Sequence, residues 1–104
     1  RTPAAPARAP ATALQKAGRR AFLSGACSSC HDIRGTSASG YVGPDLTHLA
    51  SRTTLAGVML ANRPGELAHW ISQPQEIKPG NLMPDLQLSG AQLRALVAYL
   101  RNLK

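Results

Sequence analysis

The chain has little of what most small folds rely on. Its 104 residues hold two cysteines, four aromatic side chains (Phe22, Tyr41, Trp70 and Tyr99) and five acidic residues. Two cysteines close one disulfide at most, which excludes a disulfide-dense scaffold. So few aromatics, beside an apolar set dominated by Leu and Ala, give one small domain a limited core of its own. No apolar run approaches the ~20 residues of a membrane-crossing helix. No alternating apolar/polar segment of useful length suggests a strand, and there is no internal repeat. The shortage of acid leaves a formal net charge of +7. Its arginines are spread along the chain from Arg1 to Arg101, without the clustering and stacking aromatics of a nucleic-acid surface. No nucleic-acid partner is expected. Docking to an acidic protein is the better use of this charge, and a merely solvated basic surface is the plainer one.

Against these absences stands one dense motif, Cys27-Ser28-Ser29-Cys30-His31. A Cys-x-x-Cys-His run is the attachment pattern of a c-type haem. Two thiols three positions apart on one helical turn can add to the two vinyl groups, and the next side chain can reach the iron. A redox Cys-x-x-Cys would need a βαβ context, which the chain does not show. A zinc site would need two further ligands at matching spacing, and His48 and His69 are scattered. The motif therefore predicts one covalent haem through Cys27 and Cys30, with His31 as an axial ligand. A large apolar cofactor would also supply the core that the composition lacks. Because such haem is coupled outside the cytoplasm, an extracytoplasmic location follows.

Nine glycines and eight prolines make much of the chain loop. Residues 1–12, Pro/Ala-rich and without apolar periodicity, read as a linker or an ordinary disordered terminus. A linker would imply a partner module upstream. Residues 13–104 then form the domain. Thr12 with Gln15 can cap a first helix running to about Gly25. Leu14, Gly18 and Phe22 recur on it at helical spacing. Gly18 costs about 1 kcal/mol relative to Ala inside a helix, so it suggests close approach by another helix. Ser89 with Gln92 caps the last helix, whose stripe is Leu93, Leu96, Val97, Leu100 and Leu103, with Tyr99 beside it. The two helices are expected to cross near Gly18 and Phe22. A middle helix runs from about Pro64 to Ser72, with Leu67, Trp70 and Ile71 inward and Pro74 as its stop. A short turn over Asp45–Ala50 has Asp45 as its candidate N-cap. The fold class is all-α: three main helices and loops around one haem.

The candidates for a second axial ligand are Met83, Met59, His48 and His69. Met83 lies in a loop stiffened by Pro79 and Pro84 and freed at Gly80, which can present a thioether at a fixed distance. Such a ligand favours reduced iron, the pattern of electron carriers. Met59 sits in an apolar stretch where a methionine is more often core filler. With both axial positions filled, substrate cannot reach the iron. The expectation is electron transfer by an isolated domain that is not itself an enzyme.

These residues together resemble the class I cytochromes c. The match carries Cys27/Cys30/His31, Gly18, Phe22, Gly43-Pro44, Met83-Pro84 and Tyr99. The resemblance implies that the Pro44 carbonyl accepts a hydrogen bond from His31 and orients its ring. It also implies that an arginine or a tryptophan holds the haem propionates, with Arg52 and Trp70 as candidates. The stretches Tyr41–Arg52 and Lys78–Pro84 resemble the cytochrome c domain fused to subunit II of certain bacterial cytochrome c oxidases. That resemblance implies redox partners: a quinol-oxidising complex or soluble cytochrome as donor, and the oxidase copper centre as acceptor. It implies a membrane tether upstream and a place on the periplasmic face of the bacterial inner membrane. A free-standing periplasmic cytochrome c, or the haem domain of a dehydrogenase, is the alternative.

Overall fold

A computed structural model describes residues 6–25, 27–41, 43–56 and 60–104. Met59, Val42 and the first five linker residues lie outside the described residues. Five helices and one small ladder follow in chain order: α1 (Ala13–Ser24), α2 (Cys27–Cys30), a 3-10 turn (Leu49–Ser51), β1 (Thr54–Leu55), β2 (Leu60–Ala61), α3 (Pro64–Ser72), α4 (Pro74–Ile77) and α5 (Gly90–Arg101).

The long helices begin where their caps place them. Thr12 Oγ1 accepts from the Gln15 amide at 3.1 Å, and Gln15 Oε1 accepts from the Thr12 amide at 3.1 Å. Ser89 and Gln92 repeat the reciprocal pair at the start of α5, at 3.1 and 2.9 Å. Pro64 opens α3 in the first turn, where its missing N–H costs nothing.

α1 and α5 cross at Gly18. A Cβ built there would fall 1.9 Å from the Ala95 carbonyl oxygen and 2.7 Å from the Tyr99 Cβ. Only a residue without a side chain allows this approach. Phe22 and Tyr99 meet edge-on next to it, with centroids 6.4 Å apart. Phe22, Ile33, Leu67, Leu96, Tyr99 and Leu103 form the buried centre. Each such side chain contributes about 1.5–3 kcal/mol of transfer free energy.

Four details differ from the sequence reading. Leu14 is half exposed because it lies a full turn before the crossing point. Tyr99 is buried on the crossing face, whereas Leu93 and Val97 are only half-buried, so the inner stripe of α5 is rotated toward Ala95 and Tyr99. Pro74 does more than stop α3, since it opens the short helix α4. The ladder was not expected. It pairs Thr54 with Ala61 and Leu55 with Leu60, antiparallel, too short for a sequence periodicity to show.

The segment expected as a free linker is docked where it is described. The Ala7 amide donates to the Arg34 carbonyl at 2.8 Å, and Asn102 Nδ2 donates to the Ala9 carbonyl at 3.0 Å. Ala7 also packs against the core.

Candidate cofactor site

α2 is a single turn that presents Cys27 and Cys30 as free thiols, both half-buried. Burial pushes the Cys27 thiol above its ordinary pKa, a backbone hydrogen bond pulls it back, and Cys30 adds to the rise. The His31 amide continues the turn by donating to the Cys27 carbonyl at 3.0 Å.

The His31 ring is fixed from two sides. Its Nδ1 lies 2.8 Å from the Pro44 carbonyl oxygen. A carbonyl can only accept, so Nδ1 is the donor, and in the neutral ring that tautomer leaves the lone pair on Nε2. The backbone passes against the ring at Gly43, where a Cβ would lie 2.4 Å from His31 Cε1. The Gly43 amide in turn donates to the Cys30 carbonyl at 2.7 Å, tying this stretch to the end of α2.

The stretch after Pro44 is organised by Asp45. It does not cap the 3-10 turn as expected; His48 holds that position without a side-chain bond. Asp45 instead folds back on its own chain. Oδ1 accepts from the Thr47 amide at 2.8 Å and from the Thr47 hydroxyl, and Oδ2 meets Arg34 at 3.2 Å. Burial alone would raise the Asp45 pKa. The Thr47 hydrogen bonds and the Arg34 and Arg52 cations outweigh it and hold the carboxyl below its ordinary value. Arg52 donates to the Asp45 carbonyl and stays exposed. Asn62 holds this turn from behind, with Nδ2 donating to the Leu49 and Arg52 carbonyls at 2.9 and 2.8 Å.

Met83 sits in an extended loop between α4 and α5. Its amide donates to Asn81 Oδ1 at 2.7 Å, and its carbonyl accepts from Gln75 Nε2 at 2.8 Å. Gly80 takes φ +84°, a left-handed conformation that glycine adopts freely.

One cavity of about 860 Å³ gathers these residues. Cys27, Cys30, His31 and Pro44 line it, and so do Arg52, Trp70 and Met83. Its apolar wall includes Phe22, Leu67, Ile71, Leu96 and Leu100. That size lies toward the upper end of the ~300–1,000 Å³ of ligand pockets. Of the other ligand candidates, His69 pairs with Glu76 on the surface at 2.8 Å. His48 also lines the cavity, with Nδ1 bonded to the Lys104 carbonyl at 2.7 Å. Met59 lies outside the described residues. Among the described residues no group of three or more His, Cys, Asp or Glu could hold a bare metal ion. Two thiols, one imidazole with a free lone pair and an apolar wall fit a haem. Asn62 has no sequence signal, and Gln75 and Asn81 lie in stretches that carry the resemblance without a role of their own being legible there.

The sequence model described as Cytochrome c matches residues 15–104. The chain belongs to the cytochrome c family. Cytochrome c oxidase subunit 2 of Alkalihalophilus pseudofirmus is 38% identical over 96 residues, which are 91% of this chain and 27% of that protein. The subunit of the same name in Bacillus subtilis is 35% identical, over 88% of this chain and 27% of its own length. The chain thus spans about a quarter of the curated relatives it matches. Cytochrome c2 from Rhodobacter sphaeroides superposes with a TM-score of 0.64 at 19% identity, covering 86% of this chain and 94% of that one. The c-type cytochrome SorU from Sinorhizobium meliloti gives 0.59 at 20% identity, covering 86% and 90%. The fold of this cytochrome c domain is that of the class I cytochromes c. Its family implies covalent haem c and electron carriage. No helix among the described residues is long and apolar enough to cross a membrane.

Proposed function

We propose that this domain is a single-haem electron relay ligated by His31 and Met83. Bound haem would supply a one-electron ferric/ferrous couple. The remaining tasks fall to this chain's own residues. Cys27 and Cys30 bind the group covalently from one turn of helix. His31 offers Nε2 to the iron because Pro44 holds the Nδ1 proton. The Met83 thioether would supply the second axial ligand and favour the reduced state. The apolar wall around Phe22, Leu67 and Leu96 would exclude water. Arg52 and Trp70, which line the same cavity, would hold the propionates. With both axial positions taken by protein, electrons can pass but no substrate can bind the iron.

The observation that carries this reading is the bond from His31 Nδ1 to Pro44, in a cavity that Met83 also lines. Met83→Ala tests it. The ferric domain should lose the long-wavelength charge-transfer band of methionine ligation, and the ferrous domain should gain carbon monoxide binding. An unchanged spectrum, or ready carbon monoxide binding by the unaltered domain, would overturn it.

The relatives named as oxidase subunits support a more specific setting. In this reading residues 13–104 are the cytochrome c domain of a cytochrome c oxidase subunit II, on the extracytoplasmic side and tethered through the Pro/Ala-rich segment. It takes electrons from a quinol-oxidising complex or a soluble cytochrome and passes them to the copper centre of that subunit. Oxygen reduction would take place elsewhere in the oxidase. The mass of the native polypeptide is the test. A native chain of about this size would instead indicate a free-standing carrier or a dehydrogenase haem domain.

A further inference from the structure

The loop that carries Met83 lines the cavity with Leu82, Met83 and Pro84, and Pro79, Gly80 and Asp85 are exposed. Side-chain amides tie its backbone to α4. Gln75 Nε2 donates to the carbonyls of Asn81 and Met83 at 2.7 and 2.8 Å, while Gln75 Oε1 accepts from the Gly80 amide at 2.9 Å. Asn81 faces the other way. Its Nδ2 donates to the Pro74 and Lys78 carbonyls at 3.0 and 2.6 Å, and its Oδ1 accepts from the Met83 amide at 2.7 Å. A further bond links the Gln75 amide to Asp85 Oδ1 at 3.2 Å.

Each of the two amides thereby makes three hydrogen bonds to the backbone of α4 or of the loop, and both Met83 backbone groups are among the targets. Two short amides so arranged replace the backbone ladder that a helix or strand would provide. They tie the loop to α4, whose first residue, Pro74, is itself buried.

We propose that Gln75 and Asn81 are positioning residues for the sixth ligand, a clamp that keeps the Met83 sulfur in place against exchange with outside ligands. This rests on Met83 as a ligand. Neither side chain touches the iron; each acts through the backbone of residues 80–83. The hydrogen bonds are neutral and half-buried, and losing two of them should shift a local opening equilibrium about ten- to hundredfold.

The test uses the haem-loaded ferric domain and imidazole as the competing ligand. Gln75→Ala should raise apparent imidazole affinity about ten- to hundredfold. Gln75→Glu keeps the acceptor for Gly80 but loses both donors, and should not rescue. Asn81→Asp retains the acceptor for the Met83 amide, and should fall between the wild type and Asn81→Ala. Amide exchange at Gly80 and Met83, whose protection comes from these two side chains, should quicken in step with imidazole affinity. A merely structural role would lower global unfolding stability without this selective rise. Wild-type imidazole affinity and wild-type exchange in Gln75→Ala and Asn81→Ala would overturn the clamp. If Met83→Ala instead keeps the wild-type spectrum and imidazole affinity, the ligand assignment itself falls, a pattern distinct from failure of the clamp.

Discussion

The two sides of the cavity are built by opposite means. On one side α1 and α5 press backbone against backbone at Gly18, and Phe22 and Tyr99 fill the space beside it. On the other side residues 73–86 carry Met83 on side-chain hydrogen bonds. Apolar packing is non-directional and tolerates little loss of volume. A network of amides is directional and can open locally while the rest of the domain stands. The difference puts apolar packing on the scaffold side and directional hydrogen bonds on the Met83 side.

Substitutions can break this contrast, beginning with the largest effect. Phe22→Ala removes the aromatic shared by the helix crossing and the cavity wall. It should cost about 3–5 kcal/mol, read by denaturant unfolding of the haem-loaded domain. Gly18→Ala should cost about 1–3 kcal/mol by forcing the helices apart. At ~4–8 °C per kcal/mol, a fall in the melting temperature would show it. A neutral result at Gly18 would mean that the crossing is looser than its geometry. Asn81→Ala, in contrast, should leave global unfolding within about 1–2 kcal/mol of wild type while exchange at Met83 rises. A rise in Met83 amide exchange as large in Gly18→Ala as in Asn81→Ala would erase the distinction.

The smallest effect concerns acid. Asp45 has a folded pKa below its unfolded value, so its ionised form is the one the fold favours. The stability it contributes is present above the unfolded carboxylate pKa and fades as pH falls through the depressed folded value. Asp45→Asn should flatten that part of the acid limb of an unfolding-versus-pH curve, and a curve of unchanged shape would count against the assignment.

The helices were legible in the sequence because their signals are local. Thr12/Gln15, Ser89/Gln92 and Pro64 act within one turn, and their helices begin where those residues predict. Gly18 was legible as a contact because a glycine there has no local justification. The haem motif was legible because three residue types in fixed order serve one chemistry. The phase of α5 was harder to see. Tyr99 and Ala95 are buried because α1 arrives there, and an amphipathic pattern does not say which neighbour will come. The role of Gln75 was hidden for a related reason. An amide after a proline is unremarkable until the chain returns eight residues later and places the Met83 carbonyl on it. His48, one of the candidate ligands, lines the cavity while its Nδ1 is bonded to the Lys104 carbonyl, a partner 56 residues away that no local pattern announces.

The docked N-terminal segment has a mechanical consequence. Ala7 is bonded to the Arg34 carbonyl and Ala9 to Asn102, on either side of the exposed Arg8. A pull on the chain before Ala7 would load those two bonds before it reached the first turn of α1. Arg34 lies three residues past His31, and Asn102 caps α5. Tension would thus enter the domain at the root of the haem motif and at the end of its main helix, with the Met83 loop outside the line of force.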